Sequence, residues 1–497
     1  MKPTSSGKTD IKEFPENPKY KERKTALTKF DVIKAEIIIL VAAFALPFLM
    51  ALVYAVVSDY TMAEVFSRAG RIAALGGVLF FLFNSIACFY FFKRRQTFDF
   101  FKELLVIILA IALTYLICIT VADYVSLYLA PICIIGLIIA VLINNDIALY
   151  VNTIAVCGFY IIYSVYSGVS HDLMSVLNVS LTQILGGAVL ILLSKNVYTR
   201  LSFFVKGFCV SALVAFPLTF IMGLIETFKT PIEALQAAVW SFVSFISGLA
   251  VFMVMLPVFE VVFRMYSTFR LEELCSPDAP LMSRLAKEAP GTYNHSLAMA
   301  NLAQACAQAI GENVTLARAG ACYHDVGKLR NPICFTENQT DYNPHDDYIP
   351  EVSVALITRH PLDGAHLIRS CGLPEELARI AEEHHGQTTV GFFFNKTRGY
   401  TDEQIANSDF SYKCPKPSTK ISGLVMIVDT VEAATRSQGV DKDERNFREF
   451  IHRLIKAKVD SGQFTDCPLT LKDLQVIEDT LVKTIPSLYH QRIKYDK

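Results

Sequence analysis

The chain has 497 residues, of which 53% are hydrophobic and 19% are charged, and its mean hydropathy is +0.38. This length exceeds one ordinary domain, and the apolar content is too high for a wholly soluble protein. The formal net charge is −1, and no run of basic residues exceeds what an ordinary solvent-exposed face carries. The sequence therefore gives no support to duplex nucleic acid as a partner. The twelve cysteines form no Cys-x-x-Cys pair, so we expect reduced, buried thiols.

The first part of the chain predicts a membrane domain. Residues 1–35 form a lysine-rich tail without a small-residue cleavage site, so we interpret it as a cytoplasmic tail before an anchor. Apolar runs of roughly 20 residues then recur, each close to the length that a spanning helix needs. They lie near 36–58, 72–92, 103–122, 126–143, 147–166, 176–194, 203–225 and 234–263. We therefore predict about eight spans within residues 36–263.

The basic residues of the short loops predict the orientation of these spans. Lysines and arginines concentrate in the tail, around 93–102 and around 195–200, which all fall on one side if eight crossings are made. That side is the cytoplasm, and an even count returns residues 264–497 to it. The spans contain almost no ionisable groups, which favours an anchor or sensor over a transporter.

Residues 264–290 predict a juxtamembrane linker helix, since no Gly/Ser-rich stretch separates the last span from the polar half. Two interpretations stay open: the linker transmits a movement of the membrane domain, or it is a spacer.

The polar half, residues 291–497, predicts helices and no sheet. Leu302, Ala305, Cys306 and Ala309 have helical spacing, and Gly311 stands where a helix would stop. Further helices are predicted over 315–323, 351–358, 363–370, 374–385, 419–437, 443–461 and 471–485. The predicted fold class is all-α: a polytopic helical membrane domain followed by a cytosolic helical domain.

A set of histidines and aspartates marks the candidate site in this half. Imidazole nitrogens combined with carboxylate oxygens suit Fe, Mn, Co or Zn, and a carboxylate can bridge two cations. Gly386 predicts that a helix ends next to the doublet His384-His385. Neighbouring side chains within a helix point about 100° apart, so both histidines can face one metal cluster only at a helix end. The candidates are His295, His324, Asp325, His360, His384, His385 and Asp429.

These residues resemble a known family. His295, the His324-Asp325 pair and Asp429 are similar to the HD-domain phosphohydrolase pattern, with His360, His384 and His385 as the additions of a two-metal site. Longer segments resemble the seven-transmembrane HD cyclic-di-AMP phosphodiesterases. They are Glu288-Ala-Pro-Gly-Thr-Tyr-Asn-His295-Ser, Tyr323-His-Asp-Val-Gly-Lys328, Glu337-Asn-Gln339, Asn343-Pro-His-Asp346, Glu383-His-His-Gly386, Pro415-Lys-Pro417 and Asp429-Thr-Val-Glu-Ala-Ala-Thr-Arg436.

The resemblance implies an activity and a role for each residue. The expected reaction is hydrolysis of one phosphodiester of cyclic di-AMP to linear 5'-pApA at a bacterial cell membrane, with two divalent cations, Fe or Mn. Asp325 bridges, with His295, His324 and Asp429 on one metal and His360, His384 and His385 on the other. Lys328 is expected to contact a phosphate oxygen. The residues implied to line the nucleotide pocket are Glu337, Asn338, Gln339 and His345.

The chain departs from the family in three places. The 58–71 segment leaves no room for the usual extracellular domain, Asn331 replaces an expected arginine, and Ser422 replaces an expected glutamate. None of these is a ligand position. Two other functions stay open: cyclic-di-GMP hydrolysis, although no Gly-Tyr-Pro follows His385, and a receptor that binds nucleotide without cleaving it. Homodimer formation is also left open.

Overall fold

The computed structural model describes residues 29–57, 69–93, 100–166, 173–194, 197, 199–225, 230–398, 407–439 and 443–488. Over these ranges the chain forms α-helices joined by turns and short 3-10 segments. Extended pairing among the described residues is limited to one isolated bridge between Thr389 and Ser411. The predicted all-α class is therefore confirmed. The tail (1–28) and most of the 58–71 segment lie outside the described residues.

The apolar half forms a bundle of long helices. Seven of its described helices are long and apolar enough to cross a membrane. They are α1 (Lys29–Val57), α2 (Ala69–Lys93), α3 (Phe100–Tyr124), α5 (Asn145–Tyr166), α6 (Leu173–Ser194), α7 (Arg200–Ile225) and α8 (Pro231–Phe263), and α4 (Cys133–Leu142) is the short helix between α3 and α5.

The prediction of eight spanning helices is corrected at the run 126–143. This run folds as the 3-10 turn Leu127–Leu129 followed by the ten-residue α4, which is about 15 Å long and covers about half of the hydrocarbon core. Pro131 explains the break: Ala130 before it has an extended backbone, ψ 112°. The carbonyl of Ala130 is instead satisfied by the Gln183 side chain at 3.1 Å and the Ser244 hydroxyl at 3.0 Å.

The chain nevertheless crosses the bundle once more between α3 and α5, as the predicted eight crossings require. The Tyr163 hydroxyl near the end of α5 donates to Asp123 near the end of α3 at 2.8 Å, so these two helices end at the same side. Asn145, where α5 begins, donates to the Ile191 carbonyl near the end of α6. Residues 125–144 must therefore return across the bundle, although they do so with one short helix.

The linker is two short helices, α9 (Thr268–Leu274) and α10 (Pro280–Glu288), rather than the single helix predicted over 264–290. Helix α8 ends at Arg264 in a left-handed conformation, φ 47°. The Glu260 carboxylate then accepts hydrogen bonds from the backbone N–H, at 3.1 Å, and the hydroxyl of Ser267, the N-cap of α9. The turn is therefore held by side chains and is not a loose connection.

Helix α9 contacts both halves of the protein. Arg200 at the start of α7 pairs with Glu273 at 2.8 Å, and the rings of Phe203 and Phe269 meet edge-on. At its other end the Leu274 carbonyl accepts a 3.0 Å hydrogen bond from the Tyr323 hydroxyl.

The polar half packs as one helical unit that matches the predicted helices within a few residues. Its helices are α11 (Pro290–Ile310), α12 (Val314–Tyr323), α13 (Pro350–Thr358), α14 (His360–Ser370), α15 (Glu375–Glu383), α16 (Gly391–Arg398), α17 (Lys420–Gln438), α18 (Glu444–Asp460) and α19 (Leu471–Leu488). Alanines at the centre are fully buried, among them Ala303, Ala317 and Ala321. Such small side chains let α11 and α12 approach closely, which brings the histidines they carry together.

Candidate metal centre

The seven predicted ligands come from five helices and converge on one point. His295 lies in α11, His324 caps α12 with Asp325 directly after it, and His360 is the first residue of α14. His384 caps α15, His385 follows it, and Asp429 lies in α17. The residues buried to better than nine-tenths are His295, His324, Asp325, His360, His384 and Asp429.

Three histidines are oriented by the same local hydrogen bond. The Nδ1 atoms of His324, His360 and His384 lie 2.7, 2.7 and 2.8 Å from the carbonyl oxygens three residues earlier. A carbonyl only accepts, so each Nδ1 carries a proton, and Nε2 is the atom that offers a lone pair when the ring is neutral. This tautomer is the one that a metal-ligating Nε2 requires.

The carboxylate of Asp325 lies between two pairs of histidines. Its Oδ2 is 3.3 Å from Nε2 of His324 and 3.7 Å from Nε2 of His295. Its Oδ1 is 3.2 Å from Nε2 of His360 and 3.6 Å from Nε2 of His384. Each oxygen thus serves its own pair, as a bridging carboxylate does.

Asp429 closes the side of the cluster that contains His295. Its Oδ1 lies 3.2 Å from Nε2 of His295 and 3.8 Å from that of His324, and its Oδ2 lies 3.9 Å from Nδ1 of His385.

The donor atoms fall into two groups that fit divalent cations. His295, His324 and Asp325 have ligand atoms within 4.8 Å of one another, and so do His360, His384 and His385. Nε2 of His324 and Oδ1 of Asp325 are buried without a hydrogen-bond partner among the described residues. Buried polar atoms are normally satisfied, and a cation bound in each group would satisfy them. Nitrogen and carboxylate donors of this kind suit Fe, Mn, Co or Zn.

The charges of the cluster shift its pKa values strongly. Burial disfavours the charged form of His324, but Asp325 and Asp429 outweigh it and raise the pKa to about 10. Burial lowers the pKa of His384 to about 4. Burial also opposes the charge on Asp325, yet His324 and Lys328 hold the pKa of its carboxyl well below the usual range. The metal-free cluster therefore retains a proton that a cation must displace.

Two glycines allow these ligands to meet. A Cβ on Gly327 would lie 2.0 Å from the His360 carbonyl oxygen, so only glycine lets the turn after Asp325 pack against the start of α14. Gly386 has φ +52° and ends the α15 segment behind His385, which confirms the predicted helix end.

The structure gives Lys328 two carboxylate partners. Its Nζ lies 2.7 Å from Asp325 Oδ2 and 2.7 Å from Glu337 Oε1, and 4.9 Å from the centre of the Phe335 ring. Glu337 also accepts a hydrogen bond from the Thr292 hydroxyl. Lys328 and Glu337 thus flank the cluster, and the predicted phosphate contact of Lys328 stays a prediction.

The other predicted pocket residues hold their own loop. Asn338 accepts from the backbone N–H of Gly291 and Thr292, and Gln339 donates to the Ile333 carbonyl and to Asn343. Nε2 of His345 lies 2.7 Å from the Cys334 carbonyl oxygen. These contacts indicate a structural role for all three side chains, and their contact with a nucleotide stays a prediction.

Two residues of the site were not assigned a role from the sequence. Glu432 lies one turn after Asp429 on α17, and its Oε2 is 2.6 Å from Nδ1 of His295. That spacing was visible in the sequence. The Tyr412 ring stacks on the His385 ring with centroids 4.2 Å apart. No sequence pattern marked Tyr412, because a short backbone pairing between 386–390 and 410–414 places it there.

Comparison with known proteins agrees with this architecture. One family profile, described as a 7TM receptor with intracellular HD hydrolase, matches residues 71–267, and another, described as an HD domain, matches residues 292–434. The chain therefore contains a region similar to each of these two families, in this order along the sequence. Two relatives that the chain resembles carry the name cyclic-di-AMP phosphodiesterase PgpH. That of Bacillus subtilis (strain 168) is 34% identical over 83% of this chain and 58% of its own length.

The second relative, from Listeria monocytogenes serotype 1/2a (strain 10403S), is 36% identical over 63% of this chain and 43% of its own length. The chain therefore spans about half the length of the curated relatives it matches. A crystal structure of the L. monocytogenes PgpH HD domain in complex with cyclic-di-AMP is 42% identical, covers 44% of this chain and 100% of that chain, and has a TM-score of 0.41.

Proposed function

We propose that this protein is a membrane-bound, metal-dependent phosphodiesterase of the seven-transmembrane HD family that hydrolyses cyclic di-AMP to 5'-pApA. The observation that carries the proposal is the Asp325 carboxylate, whose two oxygens face two separate histidine pairs. The names of the two PgpH relatives support the choice of substrate.

The proposed ligand sets follow the two sides of Asp325. His295, His324, Asp325 and Asp429 form one set, and Asp325 with His360, His384 and His385 forms the other. Two divalent cations, Fe or Mn, bound there would lower the pKa of water and offset the charge of a phosphodiester. The protein's own contribution is orientation: the backbone carbonyls fix the tautomers of three histidines, and Glu432 fixes that of His295.

Lys328 has one role in the structure and a second in the proposal. Its ion pairs hold Asp325 and Glu337 in place. An ammonium group has three N–H donors, so one is left for a phosphate oxygen. Because two carboxylates already offset its charge, Lys328 supplies a hydrogen bond to substrate more than net positive charge.

We also propose that the polar half, with domain limits near 264 and 291, lies in the cytoplasm. The basic loops around 93–102 and 195–200 support this orientation. The shared side at which α3 and α5 end supports it as well, because it keeps the number of crossings even.

The test uses the full chain in detergent micelles, loaded with Mn or Fe and supplied with equal amounts of cyclic di-AMP and cyclic di-GMP. We expect faster loss of the adenine compound, accumulation of pApA, and no loss of either after a chelator is added. A site that hydrogen-bonds one base discriminates strongly against another, because buried polar groups are left unpaired. Faster loss of cyclic di-GMP would refute the assignment of cyclic di-AMP as the substrate but would not contradict the proposed metal centre. Cleavage that persists in the presence of chelator would refute the metal dependence.

A further inference from the structure

A second lysine contacts the segment that follows the histidine doublet, and it lies on a helix that carries none of the candidate metal ligands. Lys458 is in the last turn of α18, and its Nζ donates to the Thr388 hydroxyl at 2.9 Å. Thr388 follows the histidine doublet by three residues. Its carbonyl accepts a 3.0 Å hydrogen bond from the N–H of Tyr412, whose ring stacks on His385.

The end of α18 is fixed to this segment by a further contact. The Gln463 side-chain carbonyl accepts a hydrogen bond from the Gln387 N–H at 3.0 Å. The ammonium group of Lys458 is thus held against the loop that follows His384 and His385, where its hydrogen-bond partner is the Thr388 hydroxyl.

The charge of Lys458 is not offset in the way that the charge of Lys328 is. Lys328 has two carboxylate oxygens at 2.7 Å, whereas the described residues place no carboxylate within ion-pair distance of Lys458. Burial lowers the pKa of Lys458, and the more distant Asp429 carboxylate opposes that shift. A half-buried cation without a counter-ion is costly unless an anion joins it.

We propose that Lys458 binds the phosphate of the cyclic dinucleotide that is not being cleaved. This inference rests on the proposed function. A cyclic dinucleotide carries two anionic phosphodiesters, and only one can lie over Asp325 at a time. The other needs a positive group close by, and Lys458 has donors left for it next to the same histidine segment. The recognised class is therefore a substrate with two phosphates, and Lys458 acts as a point charge on the second one.

The experiment compares Lys458→Met, Lys458→Arg and the matched control Lys456→Met in the full chain. Lys456 lies in the same helix and is exposed. Two quantities are measured: the Kd of cyclic di-AMP for chelator-stripped protein, and kcat and KM of metal-loaded protein for cyclic di-AMP and for bis(p-nitrophenyl) phosphate, which has one phosphate.

For Lys458→Met we expect Kd and KM for cyclic di-AMP to rise about tenfold, the lower end of what a hydrogen bond to a charged group contributes. The kcat/KM for bis(p-nitrophenyl) phosphate should fall by a much smaller factor. Lys458→Arg should recover most of the affinity, and Lys456→Met should match the wild type. Added KCl should weaken binding to the wild type more than to Lys458→Met.

Several outcomes overturn the inference. Unchanged Kd and KM in Lys458→Met would show that Lys458 does not contact substrate. Equal losses on both substrates, without recovery by arginine, would assign it a structural role through Thr388. If the wild type binds cyclic di-AMP but does not cleave it, the proposed function fails, while the change of Kd in Lys458→Met still decides the role of Lys458.

Discussion

Glu432→Gln is the sharpest test of how the metal centre is supported. The change keeps the shape of the side chain and removes its charge. In the structure Oε2 of Glu432 lies 2.6 Å from Nδ1 of His295, and the two side chains are 1% and 2% exposed. The glutamate therefore favours a proton on Nδ1 and leaves Nε2 of His295 free to face Asp325 and Asp429.

The expected loss follows from this contact. Removal of the partner that orients a metal-bound histidine costs about 10–100-fold in metal affinity or activity, which corresponds to about 1.4–2.8 kcal/mol. We expect chelator-stripped Glu432→Gln to bind Mn or Fe at least about tenfold more weakly in a titration. The kcat/KM for cyclic di-AMP should fall at low metal concentration and recover in part when metal is in excess.

The chain provides a matched control in Glu478→Gln. Glu478 Oε2 lies 2.8 Å from Nδ1 of His452, the same pair of atoms, but the His452 side chain is 61% exposed. Exposed ion pairs contribute about 0–1 kcal/mol, so this variant should bind metal and turn over substrate like the wild type. Wild-type metal affinity in Glu432→Gln, or equal losses in both variants, would refute the reasoning.

Three further predictions test the centre and its location. Asp325→Ala should abolish hydrolysis while the helical content in circular dichroism stays near that of the wild type, because the bridging carboxylate serves both ligand sets; near-normal turnover with metal retained would contradict the bridge. Metal binding should release protons and become stronger as the pH rises toward 10, because the raised pKa of His324 keeps this histidine protonated in the metal-free state and a ligand must be neutral. Calorimetry in buffers of different ionisation enthalpy measures the protons released. A metal affinity that does not depend on pH would contradict this prediction. Reporters fused before Lys19 and after Lys497 should both lie in the cytoplasm, and opposite locations would mean that residues 125–144 do not recross the membrane.

The clustering of the candidate metal ligands was largely predictable because metal binding restricts residue types. Only histidine and carboxylate side chains offer these donors, and the glycine after the doublet indicated the helix end that lets both histidines turn inward. All seven predicted ligands lie together in the structure. Their assignment to two cations stays a prediction.

Features that depend on packing across the chain were harder to predict. The apolar run 126–143 has the composition of a spanning helix, but Pro131 interrupts the helix. A prediction from hydrophobicity alone does not take the restricted backbone of proline into account. Lys328 and Lys458 look alike as isolated lysines. Only the fold places the Glu337 carboxylate against Lys328 and gives Lys458 the Thr388 hydroxyl as its partner.

The side-chain-held turn between α8 and α9 has a consequence for how the protein is studied. Glu260 and Ser267 close the turn, and Leu274 at the far end of α9 accepts the hydroxyl of Tyr323, the residue before the His324-Asp325 pair. Because side chains hold both ends of this connection, a rotation of α8 would either be absorbed in the four residues after its end or be passed on to the segment next to His324 and Asp325. A soluble fragment cut after the membrane domain loses the Arg200 and Phe203 supports of α9. Rates measured on such a fragment would therefore describe a polar half whose linker has lost these supports, and an effect of the membrane domain on activity can be tested only in the chain that still has its membrane helices.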